Sequence, residues 1–490
     1  MSARALVAGT ASIAGANAFR LALQFLLLPI LARLLGPEAY GLVALAMPVV
    51  FFTMLIGDAG LGASLVKAVN PSATLESTVF WTALAVGAVL TLLLFLGAPL
   101  IAAAVSEPAL TPILQALSPV LLLSSLTTVP ASRLQRHARF HGFAVGDVAS
   151  TLCGLAVALW GATNGWGAWS LVAQQLVLWT VKVIVTGTLS RPELPRFCRP
   201  SLLKPHARFG LSLLGSNLVT FGARNIDVLL VGAVMGVRAV GFYSLAVMFM
   251  RLPEMVLSGP VQTSLFPSIA RVADDRRAAA RLYFGALRVM LIVAAPAMVG
   301  LALVADLLVP LLFGPEWRPV AGLLEVLAPA GALFCLFPIN AAALNGLGRA
   351  EVQLRMSLLI TALSLAGILG GLAFGIGGVA IGYAAAIVLA AGPYFLTTAR
   401  ALDARAADFR AALAAPALAA AAMAAAVLAV RFALGGQDQG LAALLTSIGA
   451  GLIAYPAALW LLDRGGLRRD LDSLKGLFGR SRPAGTLAAE

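Results

Sequence analysis

The sequence predicts an all-α polytopic membrane protein of about 14 transmembrane helices, arranged as two pseudo-twofold related six-helix bundles plus two extra C-terminal helices. Three observations carry this. Of 490 residues, 60% are hydrophobic and 11% charged, whereas an average soluble domain carries about 25% charged residues. So few charges cannot cover the water-facing surface of several soluble domains, so most of the surface must face hydrocarbon. Apolar runs of membrane-spanning length recur along the chain, and the chain matches itself at a fixed offset.

A hydrocarbon core about 30 Å thick calls for about 20 apolar residues per helix. That length places spans near 9–32, 40–57, 78–98, 110–130, 145–163, 166–187, 209–235, 239–268, 284–312, 320–345, 355–375, 377–399, 411–433 and 440–462. An even number puts both termini on one side. That side holds 26 of the 34 Lys and Arg residues. The opposite side holds Arg33, Arg238, Arg318 and Arg431, and four more, Arg20, Lys182, Arg224 and Arg251, fall inside spans. Both termini are therefore expected in the cytoplasm. The net charge of +13 is an orientation signal and gives no reason to invoke nucleic acid. Arg4 followed by an apolar stretch and Ala16-Asn17-Ala18 has the outline of a secretory leader, but Ser12, Asn17 and Arg20 interrupt the stretch, so it is read as the first span. Cys153, Cys198 and Cys335 have neither metal-site spacing nor the even number of a disulfide framework.

Shifting the chain by 200 residues superposes Ser12, Gly15, Asn17, Gly36, Ala39, Gly41, Leu45 and Ala46 on Ser212, Gly215, Asn217, Gly236, Ala239, Gly241, Leu245 and Ala246. A shift of 210 superposes Ala131, Leu134, Arg139, Thr151, Leu155, Ala156, Gly161, Gly165 and Gly167 on Ala341, Leu344, Arg349, Thr361, Leu365, Ala366, Gly371, Gly375 and Gly377. A ten-residue insertion reconciles the two registers. Spans 1–6 then repeat as spans 7–12 in the same orientation, which gives an N-terminal bundle over 1–208, a second over 209–400, two added helices over 401–463 and a basic cytoplasmic tail over 464–490. Parallel repeats suit alternating access around a central site. Prolines inside spans, among them Pro29, Pro48, Pro253, Pro260, Pro296 and Pro338, supply the helix breaks such motion uses.

Charges at bilayer depth cost several kcal/mol unless they face water or a partner, so they mark candidate sites. Arg20 lies in span 1. Arg224 with Asp227, and Arg251 with Glu254, are spaced i, i+3 on one helix face, with Asn17, Asn217 and Asn225 nearby. Two readings stay open. The arginines converge on a cationic cavity where guanidinium groups grip a phosphate or pyrophosphate, with Asp227 and Glu254 carrying a coupling ion. Alternatively the acid–base pairs neutralise each other and hold span 7 against span 8. Asp58, Asp147 and Asp306 lie near span ends, where water or helix termini are expected to satisfy them. His137, His141 and His206 fall in basic cytoplasmic segments without metal-site spacing. The sequence calls for no metal or cofactor.

Leu28-Pro29-Ile30-Leu31-Ala32-Arg33-Leu34-Leu35-Gly36-Pro37-Glu38-Ala39-Tyr40-Gly41 and Asp58-Ala59-Gly60-Leu61-Gly62-Ala63 resemble the start of the bacterial polysaccharide-transporter family. Phe209-Gly210-Leu211, Asn225-Ile226-Asp227, Gly241-Phe242-Tyr243-Ser244-Leu245-Ala246, Gly259-Pro260 and Leu265-Phe266-Pro267-Ser268-Ile269-Ala270-Arg271 are similar to its colanic-acid-type branch. The resemblance covers about 1–355 and thins beyond. It implies the fourteen-helix fold of the superfamily that also holds multidrug extrusion proteins and the lipid II flippase. It further implies a non-enzymatic flippase of the inner membrane, which moves undecaprenyl-pyrophosphate-linked oligosaccharide from the cytoplasmic to the periplasmic leaflet, coupled to H+ or Na+. Membrane lipid, a polysaccharide polymerase and glycosyltransferases are the other partners expected. The cationic cavity is carried over only as an idea, onto Arg20, Arg224 and Arg251. The alternatives are a multidrug antiporter, a lipid II flippase, and a polytopic polymerase or ligase. The last is disfavoured because the non-cytoplasmic connections are short and hold no nucleophile–base–acid set.

Overall fold

The structure, a computed structural model, describes residues 3–68, 71–137, 139–191, 198–434 and 440–464. Every regular element among them is helical. The tail expected over 464–490 lies, beyond Arg464, outside the described residues. The chain forms two compact units, Met1–Ser244 and Leu245–Glu490.

The first unit contains α1 (Ala3–Asp58), α2 (Leu61–Lys67), α3 (Ala73–Ala104), α4 (Leu110–Leu117), α5 (Pro119–Arg136), α6 (Phe140–Thr163), α7 (Ala168–Ser190) and most of α8 (Lys204–Met250). The second contains α9 (Leu252–Arg271), α10 (Arg276–Phe313), α11 (Arg318–Phe334), α12 (Phe337–Gly346), α13 (Ala350–Leu372), α14 (Gly375–Ala401), α15 (Ala406–Ala433) and α16 (Leu441–Leu462). Among the described residues, 12 helical stretches are long and apolar enough to cross a membrane. They accommodate the fourteen expected spans because α1 and α8 each run through a break that the sequence reading counted as a loop.

Those breaks are the repeat made visible. Gly36 interrupts α1 at φ 73°, ψ 169°, and Gly236, 200 positions later, interrupts α8 at φ 79°, ψ 176°. This backbone is open to glycine and strained for any residue with a Cβ. The two breaks also meet within the first unit. A Cβ on Gly41 would strike the Val237 carbonyl, and one on Gly241 would strike the Pro37 carbonyl. The second register holds as well. Arg139 donates its backbone N–H to Leu134 O at 2.9 Å and Arg349 donates to Leu344 O at 2.8 Å. Gly165 and Gly375 share φ values of 76° and 75°.

Close packing by small residues shapes the second unit. Gly367 and Gly371 of α13 face Gly382 and Gly378 of α14, and a Cβ at any of these four would overlap the facing backbone. Two G-x-x-x-G faces thus form one tight hairpin, held by dispersion where the hydrophobic effect gives helices in lipid no reason to associate. The two added helices α15 and α16 join the same core as α10: Ala412, Ala419, Met423, Val427, Tyr455 and Leu459 pack in one buried cluster with Tyr283, Leu287 and Met290. Polar contacts tie α10 to the two added helices at separate levels. Arg288 pairs with Asp463 at 2.8 Å, while Arg431 binds Asp306 and the Leu303 carbonyl. Tyr455 donates to Ile292 O at 3.0 Å between them.

Candidate functional site

α1 places Arg20 facing partly inward, with its Nε buried and without a hydrogen-bond partner among the described residues. A guanidinium held this way retains donors for an anion. Asn17 and Asn217 are exposed at equivalent positions of the repeat, and Arg224 is exposed on α8. Asn225 turns back on its own helix, donating to Phe221 O at 2.9 Å, which spends one amide proton locally.

The two acids are buried, Asp227 at 4% and Glu254 at 6% exposure. Asp227 receives the Tyr243 hydroxyl at 3.1 Å and the Val228 backbone N–H at 2.9 Å. Arg251 donates to the Tyr383 hydroxyl at 3.2 Å and lies 6.0 Å from the Phe334 ring centroid, so α14 and α11 both hold it. The structure therefore joins Asp227 to Tyr243 within the first unit and Arg251 to Tyr383 within the second.

Two acids left to water or helix termini by the sequence reading have side-chain partners instead. Asp147 of α6 pairs with Lys182 of α7 at 2.7 Å, and the Lys182 ammonium sits 5.3 Å from the Trp179 ring and 5.8 Å from Phe143. Asp306 pairs with Arg431. In both cases the fold brings a basic residue alongside the carboxylate even near a span end, and the Arg431–Asp306 pair is partly exposed. Glu76 of α3 is likewise enclosed, 4% exposed, with Arg133 at 3.2 Å and Arg136 at 2.6 Å on its two oxygens.

The feature that sequence reasoning missed is a cavity of about 480 Å³ inside the first unit, between the end of α1, α2, α3 and α5, with Trp179 at one side. Its polar wall comes mainly from one run on α5, Ser124, Ser125, Thr127, Thr128 and Ser132, with Asp58 opposite. The Asp58 carboxyl lies beside Gly62 in the first turn of α2, close to the Ser132 hydroxyl. The signal was present as hydroxyls recurring at helical spacing in an otherwise apolar span. A search for charge alone passes over it.

These features define a multi-span helical membrane protein with polar and charged groups held inside its apolar helices. The fold is similar to that of a solved structure described as the lipid II flippase MurJ, inward closed conformation, with a TM-score of 0.72 over 92% of this chain and 99% of that chain at 14% identity. A family profile described as polysaccharide biosynthesis protein matches residues 30–322, and the chain belongs to that family. Among curated relatives, the succinoglycan biosynthesis transport protein ExoT of Rhizobium meliloti (strain 1021) is 33% identical over 309 residues, 62% of each chain. The lipopolysaccharide biosynthesis protein WzxC of Escherichia coli (strain K12) is 24% identical over 361 residues, 72% of this chain and 73% of WzxC. The match to ExoT thus spans less than two thirds of that protein's length.

Proposed function

We propose that the chain is a flippase of the bacterial inner membrane, with both termini cytoplasmic, that moves undecaprenyl-pyrophosphate-linked oligosaccharide from the cytoplasmic to the periplasmic leaflet by alternating access. The reading rests above all on membership of the polysaccharide biosynthesis family by a chain with the MurJ fold. Relatives named for succinoglycan transport and lipopolysaccharide biosynthesis support a glycan cargo. Catalysis of bond making has no part in it.

The physical demands of the task agree with the residues. A glycan pyrophosphate carries negative charge, and Arg20, Arg224 and Arg251 offer guanidinium forks for it, with Asn17, Asn217 and Asn225 as neutral donors. Arg20 is the strongest of these: the Nε of Arg20 and that of Arg251 are both buried without a hydrogen-bond partner among the described residues, but Arg251 already donates to Tyr383. Asp227 and Glu254, both buried, are the groups through which an H+ or Na+ gradient would act. The polyprenyl tail stays in lipid and needs no site of its own.

Deleting the gene in the source bacterium tests this. The expected result is loss of surface polysaccharide with accumulation of lipid-linked repeat units facing the cytoplasm, restored by the wild-type gene and not by Arg20→Ala expressed at equal level. Unchanged surface glycan with new drug sensitivity would replace the reading by a multidrug antiporter, and lysis with accumulated lipid II would replace it by a lipid II flippase.

A further inference from the structure

We infer that the hydroxyl-lined cavity of the first unit is a binding subsite for a neutral sugar. The inference deepens the flippase reading and rests on it for the identity of the cargo. Sites for small molecules occupy about 300–1,000 Å³, and this cavity, at about 480 Å³, has room for sugar residues.

The chemistry of the wall is selective. Ser124 donates to Leu121 O at 2.8 Å, Ser125 to Leu122 O at 2.7 Å and Thr127 to Ser124 O at 2.7 Å. Ser132 donates to Thr128 O at 2.7 Å, and across the helix contact Thr53 donates to Val49 O at 2.8 Å. The hydroxyl protons of these five residues are thus spent on helix carbonyls, while the Thr128 hydroxyl makes no such bond among the described residues. Each oxygen keeps lone pairs. The wall is rich in acceptors, with the Asp58 carboxyl among them, and the Gln135 amide and the Thr128 hydroxyl add donors. The complementary ligand is rich in O–H groups, which donate and accept, and that describes a sugar ring.

Other ligands fit less well. Among the described residues no Lys or Arg lines the cavity and Asp58 does, so a phosphate would find no cation there to bind it. A lipid tail would bring no donor or acceptor to the free lone pairs of the hydroxyls or to Gln135 and Asp58. An organic cation would satisfy Asp58 and could stack on Trp179, but without N–H or O–H groups it would bring no donors to the α5 hydroxyl oxygens. A sugar has donors for the α5 wall and C–H faces for the Trp179 ring. The small residues Gly57, Gly62, Ala63 and Ala131 keep the space open.

The test uses the full-length chain in nanodiscs, with Cys153, Cys198 and Cys335 changed to Ser and Ser124→Cys as reporter, and measures its rate of maleimide labelling. Three probes are compared: lipid-linked oligosaccharide extracted from the source bacterium, undecaprenyl pyrophosphate without sugar, and tetraphenylphosphonium. Severalfold protection by the first alone is expected. Equal protection by undecaprenyl pyrophosphate, protection by tetraphenylphosphonium, or protection by none overturns the inference. In cells, Ala131→Leu, which fills the cavity, and Thr128→Val, which keeps its shape and removes one hydroxyl, are expected to lower glycan export relative to wild type at equal protein level. Full export by both, in a strain where deletion abolishes export, overturns the sugar subsite and leaves the flippase reading standing. Normal export in the deletion strain itself overturns both. If Ala131→Leu fails to accumulate, Thr128→Val and the labelling rates decide.

Discussion

Replacing Glu76 by Gln should destabilise the first unit through one buried electrostatic junction. The Glu76 side chain is 5% exposed and its two oxygens each hold a separate guanidinium, Arg136 at 2.6 Å and Arg133 at 3.2 Å, so α3 is tied to the end of α5. Gln keeps the shape and removes the charge, which leaves two arginines facing each other over a neutral amide. Removing one partner from a fully buried pair costs about 3–5 kcal/mol. The arginines here are 23% and 18% exposed, so water relieves part of that, and about 2–3 kcal/mol is the expected loss. Thermal unfolding of the full-length protein in mild detergent, followed by tryptophan fluorescence, reads it as a midpoint lowered by several degrees. Adding Arg136→Gln to the Glu76→Gln variant should recover part of the loss, since it removes a stranded cation. A wild-type midpoint for Glu76→Gln, or a double variant whose losses simply add, would refute the coupling.

Gly36→Ala should cost about 1–2 kcal/mol, because φ at 73° carries a steric penalty for any Cβ; Gly15→Ala, where a Cβ meets open space, is the control, and equal midpoints would contradict the argument. Gly371→Leu should separate α13 from α14 and cost about 1–3 kcal/mol by overpacking, read as a lower midpoint and as loss of an engineered disulfide bridging the hairpin. Tyr243→Phe removes the hydroxyl donor from buried Asp227 and should cost about 1.5–3 kcal/mol, checked by the same unfolding assay.

Much of the fold was legible because lipid forces helices to satisfy their own backbone and to be apolar over a fixed length. Span positions followed from that constraint, and the repeat offsets reappear in the paired breaks at Gly36 and Gly236. The interruptions at Gly36 and Gly236 were legible as span ends, but not that each is a single-residue kink with helix resuming directly on both sides. Charges inside spans were legible as unusual residues, but their partners were not. Asp306 meets Arg431, 125 positions away, and Glu76 meets Arg136, 60 positions away, and nothing local encodes such distances. The α5 hydroxyls were hidden differently. Serine and threonine in an apolar helix are ordinary when they bond back to their own carbonyls, and only the surrounding glycines and alanines, gathered from three other helices, turn them into a wall.

Transbilayer movement is the claim on which the account depends, and it is measured most directly with the purified full-length protein in proteoliposomes containing lipid-linked oligosaccharide from the source bacterium. A membrane-impermeant lectin or glycan oxidant added outside reports the accessible fraction over time. Glycan initially confined to the inner leaflet is expected to become accessible with wild-type protein, and far more slowly with Arg20→Ala or with empty liposomes. Equal rates with and without the protein, under an imposed H+ or Na+ gradient, would contradict it.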